Sequence, residues 1–284
     1  MTTLPSRLQW EVLIRKRPSS TQGIPPGKEN LAWVTNAATL IWGDCDALLV
    51  DTFLSDAQNE ELAAWIASKR RTLRTIYLTH AHPDHFFGLA MLLERFPEAR
   101  AIARPGVIRV MRSVISPEFV ERFLVPRMAG QIPRRLAIAE ELGTGRFELE
   151  GNELRVVELG HTDTDETTAL HVPSLGLVVA GDAVYNETHP FLTESNIEGR
   201  NAWIAAIDCL EALKPRIVIA SHGPFEPDHS PRHLAATRAY LRDFNRLDRE
   251  TTSAQELYNR MLALYPDRIN PGSLWGGANA AKGA

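Results

Sequence analysis

Apolar and β-branched residues form short runs along this chain, and many of the runs have the length of strands. They lie at residues 10–17, 31–42, 47–52, 74–79 and 101–103, and again at 147–159, 167–172, 176–180 and 217–220. Apolar residues recur at helical spacing after Ser55, where Gln58 completes a capping box, and also at 86–96 and 201–213. The pattern therefore predicts strands and helices in alternation.

The middle and the end of the chain are predicted to be mainly helical. Residues 107–142 have a helical pattern that three prolines divide into pieces, and the residues after Pro231 continue as helix up to a Gly- and Ala-rich tail, which we expect to be frayed. Both halves contain several strands followed by a helix. The sequence predicts an α/β (α+β) fold in which two mixed sheets stack between layers of helix, an αββα sandwich.

Composition excludes two classes of partner. The 284 residues are 44% hydrophobic and 23% charged, with a formal net charge of -4 and no basic stripe, so we expect no binding to nucleic acid. No run approaches the roughly 18 apolar residues of a membrane span, so we expect no membrane partner. Cys45 and Cys209 are too few for a disulfide framework and are expected to be reduced and packed. With no leader-like apolar run near the start, a cytoplasmic protein is predicted.

A cluster of histidines carries the strongest chemical signal. None of the nine histidines precedes position 80, yet three of them and an aspartate occur between His80 and His85. His80 and His82 lie two residues apart at a strand end, so their imidazoles leave on the same side and can share one metal ion. Asp84 and His85, after the turn at Pro83, can face a second ion about 3.5 Å away. Ligands without thiolate suit zinc, iron, manganese or cobalt.

Two metal ions need more ligands, and three later strands each end beside one. His161 follows Gly160, Asp182 follows Gly181, and His222 precedes Gly223. Glycine allows the backbone to approach closely at such positions. The predicted metal ligands are therefore His80, His82, Asp84, His85, His161, Asp182 and His222. Of the other histidines, His171 is expected to be structural, and His229 and His233 to be exposed.

The string from Thr79 to His85 resembles the signature of the metallo-β-lactamase superfamily. His161, Asp182 and His222 match its later ligand positions in order, and the resemblance covers about residues 30–225. It implies that His80, His82 and His161 hold one metal, that Asp84, His85 and His222 hold the other, and that Asp182 bridges them. Asp51 matches the family's first acidic motif, which implies a hydrogen bond from Asp51 to a ligand histidine or to the turn. We expect a metallo-β-lactamase-fold catalytic domain at residues 1–230, with a helical C-terminal extension at 231–284 packed on the same domain.

Such a pair of metals implies a hydrolase for small-molecule substrates. Two divalent ions, zinc in the first place, generate a shared hydroxide near neutral pH, which attacks a carbonyl carbon. The expected substrate is a small, partly apolar lactone, ester or thioester, or an amide. Asp84 is a candidate for orienting the water or passing a proton, Tyr185 for donating to the oxyanion, and His189 for contacting substrate or relaying a proton.

Several alternatives stay open at this stage. A β-lactam hydrolase would fit the fold, although the cysteine ligand of some β-lactamases is not matched by Cys209. A mononuclear iron sulfur dioxygenase of the same fold would keep the histidines. A scaffold without activity is expected to have lost ligands. The turn His161-Thr162-Asp163-Thr164-Asp165 departs from the commoner His-Thr-Pro-Gly-His, so its extra carboxylates are expected to alter the substrate rim. The helices at 107–142 are candidates for an apolar lid, and residues 257–275 for covering the site or a second subunit of a homodimer.

Overall fold

Two sheets stack face to face in the computed structural model, which describes residues 5–16, 25 and 34–283. The first sheet has the order β1 (Gln9–Lys16), β2 (Thr35–Trp42), β3 (Asp46–Val50), β4 (Thr72–Tyr77), β5 (Arg100–Ala103) and β6 (Glu140–Glu141). The second has the order β11 (Ile217–His222), β10 (Leu177–Tyr185), β9 (Thr167–Val172), β8 (Asn152–Gly160) and β7 (Arg146–Leu149). Both contain parallel and antiparallel pairs, so the predicted pair of mixed sheets is confirmed.

Helices cover the outer faces of both sheets. Those associated with the first sheet are α1 (Asp56–Ser68), α2 (Pro83–Phe86), α3 (Leu89–Arg95), α4 (Pro105–Val114), α5 (Pro117–Phe119) and α6 (Val125–Arg127), with a π-helical turn at Val120–Leu124. Those on the second sheet are α7 (Ile197–Ala212), α8 (Arg232–Glu250), α9 (Ala254–Leu264) and α10 (Pro271–Lys282), and a 3₁₀ turn lies at Pro173–Leu175. The capping box predicted at Ser55 and Gln58 begins α1. No helix in the described ranges has the length and apolar character needed to cross a bilayer.

Apolar side chains fill three layers between these elements. Ile41, Leu48 and Tyr77 of the first sheet meet Leu170 and Val179 of the second sheet in the middle layer. A second cluster lies between the first sheet and α1, α3 and α4. The third packs α7 to α10 against the second sheet, so the C-terminal helices share its core. Burial of this kind stabilises by about 25 cal/mol per Å² of apolar surface and makes the layers rigid supports.

Hydrogen bonds join the two sheets at the edge where the histidine cluster lies. The Tyr77 hydroxyl and the Thr168 hydroxyl are 2.6 Å apart. The backbone N–H of Thr168 and its hydroxyl both donate to the carbonyl oxygen of Thr79, at 2.9 and 2.7 Å. This arrangement fixes the segment that begins at Thr79 against the second sheet.

The structure corrects the predicted strand at 147–159, which is a hairpin of β7 and β8. Glu150 and Gly151 occupy the turn with positive φ angles of 45° and 76°. Glycine adopts this backbone freely, whereas glutamate does so only with support. The Glu150 carboxylate accepts hydrogen bonds from the backbone N–H groups of Asp44, Cys45 and Asp46 at 2.8, 2.7 and 2.6 Å. A long-range contact thus holds a turn that the local sequence did not indicate.

Other segments also differ from the prediction. Helix in the 107–142 region ends at Arg127, before Gly130 and Pro133, which cannot continue it. The predicted helix at 86–96 is divided at Gly88 into α2 and α3. The Gly- and Ala-rich tail is not frayed but forms α10, because its small residues pack closely; a Cβ atom on Gly277 would lie 2.9 Å from that of Leu192.

Three predictions about single side chains are wrong. Cys45 and Cys209 are free thiols but exposed rather than packed, and His233 is buried rather than exposed. The Asp228 carboxylate is hydrogen-bonded to the His233 ring, which provides a polar partner inside the fold. Residues 31–33 and Arg17, predicted as parts of strands, lie outside the described residues.

Candidate metal centre

The carboxyl ends of several strands meet at one edge of the sandwich. β3 and β4 run parallel, as do β10 and β11, and β8 runs antiparallel to β9 and so parallel to β10. The chain leaves these strands near Asp51, His80, Asp163, Asp182 and His222. The shared strand direction is the reason that residues so far apart in sequence converge.

Imidazoles and carboxylates form two adjacent clusters at this edge. The first contains His80, His82, Asp163 and Asp182, and the second contains Asp84, His85 and His222; within each cluster the possible ligand atoms lie within 4.8 Å of one another. In the first, Oδ2 of Asp163 is 2.9 Å from Nδ1 of His82 and 3.6 Å from Nε2 of His80.

Asp182 lies between the two clusters. Its Oδ2 is 3.0 Å from Nε2 of His222, and its Oδ1 is 3.4 Å from Nε2 of His85. Both oxygens of Asp84 are 3.9 Å from imidazole nitrogens, Oδ1 from His85 and Oδ2 from His222. Asp182 is therefore positioned to interact with cations on either side of it.

Groups outside the clusters orient each imidazole. Nδ1 of His222 donates to the backbone carbonyl of Thr35 at 2.6 Å, and Nδ1 of His80 is 3.0 Å from the hydroxyl of Thr79. Nε2 of His82 is 3.3 Å from the carboxylate of Glu194. Each contact occupies one ring nitrogen and turns the other toward the cluster, as outer partners of metal ligands do.

Asp51 holds the histidine segment through the hydrogen bonds that the family resemblance implied. Its Oδ1 accepts the backbone N–H of Thr79 at 2.8 Å, and its Oδ2 accepts the Thr79 hydroxyl at 2.7 Å. The same Oδ2 is 3.0 Å from Nδ1 of His85. Asp51 has a φ of 61°, in the left-handed region, so its backbone is held in an uncommon conformation by these contacts.

Buried polar atoms without hydrogen-bond partners face the clusters. Among the described residues these include Nε2 of His80, Nε2 of His85, Oδ2 of Asp163 and Oδ1 of Asp182. Leaving a buried polar group without a partner costs about 1–3 kcal/mol, and native proteins rarely accept several at one place. Nitrogen lone pairs and carboxylate oxygens are the donors that a divalent metal requires, so these residues fit a metal.

Electrostatics at the centre favours ionised carboxylates. Burial would raise the pKa of Asp182, but His222 and His85 hold it well below its usual range. Burial would likewise lower the pKa of His85, but Asp182 and Asp51 raise it to about 9. Burial, together with the neighbouring His85, lowers the pKa of His80 to about 4. The negative carboxylates can therefore attract a cation.

His161 lies outside both clusters. Its Nδ1 is 2.6 Å from a carboxylate oxygen of Asp165, and its Nε2 is 2.8 Å from the hydroxyl of Ser195. A Cβ atom on Gly199 would lie 2.6 Å from the same Nε2, so the ring packs against the start of α7. The structure thus brings six of the seven predicted ligands together and leaves His161 beside them.

The two other predicted catalytic residues have supporting contacts. The Tyr185 hydroxyl donates to Oδ2 of Asp182 at 2.8 Å, so it contacts a candidate ligand and is buried. His189 is buried against Tyr240, with 2.8 Å between its Nδ1 and the hydroxyl, and lies in neither cluster. Burial, and next the Arg268 guanidinium, lower the pKa of His189 to about 3. His189 is thus a neutral side chain enclosed in the core, and its role toward a substrate stays a prediction.

Sequence reasoning missed three residues of the centre. The sequence indicates Asp163 only as an extra carboxylate two residues after His161 on the same loop. Asn36 lies at the start of β2, more than forty residues from Asp84 in sequence. Its side-chain amide donates a hydrogen bond to Oδ2 of Asp84 at 3.0 Å. Glu194, beside His82, has no local motif that would indicate its role.

Comparisons with known proteins agree on the family. The sequence profile of the metallo-beta-lactamase superfamily matches residues 31–222. The hydroxyacylglutathione hydrolase of Actinobacillus pleuropneumoniae serotype 5b (strain L20) is 33% identical over 95 residues, 34% of this chain and 36% of that protein. That of Glaesserella parasuis serovar 5 (strain SH0165) is 25% identical over 167 residues, 57% of this chain and 53% of that protein. The chain thus spans about a third to a half of the length of these curated relatives.

Solved structures resemble the whole fold. A metallo-beta-lactamase family protein from Thermus thermophilus superposes with a TM-score of 0.63 and 21% identity, covering 95% of this chain and 91% of that one. The metallo-beta-lactamase FIM-1 from Pseudomonas aeruginosa, in its mono-zinc form, superposes with a TM-score of 0.60 and 16% identity. The match covers 85% of this chain and 97% of that one. At such low identity the likeness establishes the fold alone.

Proposed function

The chain belongs to the metallo-beta-lactamase superfamily and is a hydrolase of that fold, and we propose that it cleaves the carbonyl bond of a lactone, ester or thioester with two divalent metal ions. One ion would be held by His80, His82 and Asp182, the other by Asp84, His85 and His222, with Asp182 shared. When bound, such ions lower the pKa of a water molecule and polarise a carbonyl group.

The observation that carries this proposal is the set of buried ligand atoms without partners at the junction of the two clusters. Four of the buried side-chain atoms that lack hydrogen-bond partners in the described residues lie at this junction. Each of the four clustered imidazoles is turned toward the junction by an outer hydrogen bond. A centre prepared in this way loses little entropy when it binds cations.

Exposure of the ligands indicates where a substrate approaches. The side chains of Asp84 and His82 are 15% and 16% exposed, whereas those of His80, Asp182 and Asp163 are at most 3% exposed. Asp84 is fixed by Asn36 and is a ligand that solvent reaches, so it can take a proton from water or give one to a leaving group. The substrate would therefore enter beside Asp84 and His82.

The rim beside His82 favours a neutral, partly apolar substrate. The Phe191 ring lies 5.3 Å from the His82 ring and supplies an apolar contact. The exposed carboxylates of Glu194 and Asp165 lie close to His82 and His161. Negative charge at the entrance repels anions and therefore disfavours an anionic thiol carrier. The local likeness to hydroxyacylglutathione hydrolases accordingly supports the thioester as the reacting group rather than a particular carrier.

A hydrolysis screen tests the proposal. Purified protein loaded with zinc or manganese would be assayed with neutral lactones, aryl esters, acyl thioesters and β-lactams, and metal content would be measured on the same samples. We expect turnover of at least one of the first three classes, its loss after chelation and its return with added metal. The Asp182→Asn variant should lose activity by two orders of magnitude or more while keeping its circular dichroism spectrum.

Two outcomes would redirect the assignment. Turnover of β-lactams alone would favour the β-lactamase alternative. One iron per chain with oxygen consumption during reaction would favour the mononuclear iron sulfur dioxygenase. Metal-free protein with unchanged hydrolysis would contradict every metal-dependent interpretation of the site.

We also propose a cytoplasmic location, because the exposed thiols of Cys45 and Cys209 are free and a reducing compartment maintains such thiols. Cell fractionation with an antibody to the chain measures this directly. Recovery in the culture medium or in a membrane pellet would contradict it.

A further inference from the structure

We propose that the C-terminal segment 268–277 determines which substrates enter the candidate metal centre, by fixing the loop that carries Phe191 beside His82. This loop comprises residues 186–196, between β10 and α7, and is called the rim loop below. The inference rests on the proposed function and deepens it, because it names residues that set the shape of the substrate entrance. The segment acts through the rim loop, so its members are positioning residues.

The rim loop brings two side chains to His82. The Phe191 ring is half-buried and lies 5.3 Å from the His82 ring. Oε1 of Glu194 is 3.3 Å from Nε2 of His82, and its Oε2 accepts a hydrogen bond from the Thr164 hydroxyl at 2.7 Å. His82 is one of the ligands that solvent reaches. The position of the rim loop therefore sets the width and the apolar character of the entrance.

Backbone hydrogen bonds attach the first half of the rim loop to the C-terminal segment. The N–H of His189 donates to the carbonyl oxygen of Ile269 at 2.9 Å, and the N–H of Ile269 donates to that of Glu187 at 3.0 Å. Thr188 and Ile269 thus form a parallel β-bridge. Glu187 has a positive φ of 48°, which a residue other than glycine adopts only with support. The bridge from the C-terminal segment provides that support.

The Arg268 side chain reinforces this bridge. Its guanidinium donates to the carbonyl oxygen of Thr188 at 2.7 Å and to that of Ala236 at 3.4 Å. It also lies 4.9 Å from the centre of the Tyr240 ring and 5.2 Å from that of Tyr265. Burial lowers the pKa of Arg268, so the charged form needs these hydrogen bonds and ring contacts. Arg268 therefore ties the rim loop to α8 and to the end of α9.

Helix α10 supports the second half of the rim loop. A Cβ atom on Gly277 would lie 2.9 Å from the Cβ atom of Leu192, which is fully buried and directly follows Phe191. A Cβ atom on Gly276 would lie 2.9 Å from the hydroxyl oxygen of Thr193. Glycine is less stable than alanine inside a helix, so these two glycines serve the close approach of α10 to the loop.

A rim loop fixed at both halves can discriminate between substrates. One methylene group in a well-formed apolar pocket changes kcat/KM by about 10-fold or more, because dispersion contacts weaken steeply as a wall moves away. If the C-terminal segment releases the loop, the Phe191 ring loses its fixed distance from His82. We expect selectivity between small and larger apolar substrates to fall, whereas the metal ligands keep their positions.

Hydrogen–deuterium exchange of the metal-free, full-length chain tests the contacts without any substrate. In Arg268→Met, amides of residues 186–196 should exchange about 10-fold faster than in wild type, with β10 unchanged. Arg268→Lys keeps a donor for the Thr188 carbonyl and should restore slow exchange. The control Arg260→Met removes an exposed guanidinium of α9 that pairs with Glu250, and should match wild type. Unchanged exchange in Arg268→Met would overturn the proposal.

A double-mutant cycle with zinc-loaded enzyme tests selectivity. The probes are para-nitrophenyl acetate and para-nitrophenyl butyrate, and metal content is measured on each sample. Phe191→Ala and Arg268→Met should each lower the butyrate-to-acetate ratio of kcat/KM by about 10-fold, mainly through KM. The double variant should show the same ratio as either single variant, because both act through one ring. A purely structural role would reduce both rates equally, and a wild-type ratio in Arg268→Met would overturn the proposal.

The two neighbouring glycines provide a matched pair for α10. Gly277→Ala should displace Leu192 and reproduce the altered ratio, whereas Gly276→Ala meets only an exposed hydroxyl that can turn away and should keep the wild-type ratio. A wild-type ratio in folded Gly277→Ala would contradict the role of α10. Wild-type enzyme that hydrolyses none of the classes in the screen would refute the proposed function instead, and the exchange rates would still decide whether Arg268 fixes the rim loop.

Discussion

At the scale of single residues, orientation of the imidazoles is the main contribution of the surrounding chain. His80, His82, His85 and His222 each have one nitrogen held by a neighbour and the other turned to the clusters. The neighbours are a hydroxyl, two carboxylates and a backbone carbonyl, so no single residue type performs this role. Each holds the orientation of a ring before any ion binds, which makes the site more rigid.

Tyr185 is expected to act through Asp182. Replacing Tyr185 by Phe removes the hydroxyl that donates to Oδ2 of Asp182, and outer partners of this kind are worth about 10-fold to 100-fold in activity or metal affinity. Steady-state kinetics and metal titration of Tyr185→Phe measure the effect. Tyr240→Phe is the matched control, because its hydroxyl contacts His189 instead and should leave kcat unchanged. Equal kinetics for the two variants would refute this role.

His189 is expected to make the free energy of unfolding depend on pH. The pKa of His189 is lowered to about 3 in the fold, by burial and next by Arg268, whereas the unfolded chain has the ordinary value near 6.5. Between these values the unfolded state binds the extra proton. The contribution of the neutral His189 to the free energy of unfolding is therefore complete above about pH 6.5. It is lost as the pH falls below that value, at up to about 1.4 kcal/mol per pH unit.

The His189→Phe variant should show a shallower fall in the free energy of unfolding between about pH 6.5 and about pH 4 than wild type does. Urea unfolding at several pH values measures the slope. Tyr240→Phe, which keeps the imidazole buried, should retain the steep slope. Identical slopes for wild type and His189→Phe would show that His189 does not carry this dependence.

At the scale of elements, β10 determines where Asp182 lies. Its register with β11 shifts between Val179 and Gly181, and Gly181 has a positive φ of 57°. The irregularity occurs directly before Asp182, and bulges of this kind redirect a side chain at the end of a strand. Close packing adds a second requirement for glycine, since a Cβ atom would lie 2.9 Å from the Thr79 hydroxyl oxygen.

Gly181→Ala should therefore disturb both stability and metal binding. We expect a loss of about 1–2 kcal/mol from the left-handed backbone, and weaker metal binding because the Thr79 hydroxyl contacts both Asp51 and His80. Gly130→Ala is the control. Gly130 also has a positive φ, of 74°, so alanine would be similarly strained there, but no atom lies within 4 Å of the added Cβ. Thermal unfolding and metal titration separate the effects. Full metal affinity in Gly181→Ala would contradict the argument from packing.

At the scale of the whole molecule, the centre lies across the junction of the two halves. His80, His82, Asp84 and His85 follow the first sheet, whereas Asp163, Asp182 and His222 follow the second. Cations bound between them would link the two sheets.

Removal of metal should therefore lower the thermal stability of the entire fold. A ligand at 100 times its Kd stabilises the native state by about 2.7 kcal/mol, so chelation should lower Tm by several degrees. Calorimetry with and without chelator measures the change. The Asp182→Asn variant should show a much smaller shift, and an equal shift in that variant would indicate a metal site elsewhere.

The sequence by itself determined the layered fold and predicted most of the side chains that meet in the two clusters. Strand-length apolar runs predicted the two sheets, and the spacing of His80, His82, Asp84 and His85 predicted a metal centre, because period-two alternation and a proline turn act locally. Asp182 and His222 could be found because each lies at or near a strand end, and Asp51 because it matches the first acidic motif of the family. The hairpin at Glu150 and the helical tail were missed, since long-range contacts hold the first and packing of small residues holds the second.

Tertiary structure alone placed the Asp163 side chain in the first cluster and the His161 side chain beside it. Both lie on the same loop, both side chains can bind a metal, and nothing in their spacing predicts this placement. The placement depends on Ser195 and Gly199, which occupy the neighbouring space and engage His161. The same holds for Asn36, which reaches Asp84 only after β2 pairs with β3. Such roles arise from contacts between distant segments, which a local pattern does not encode.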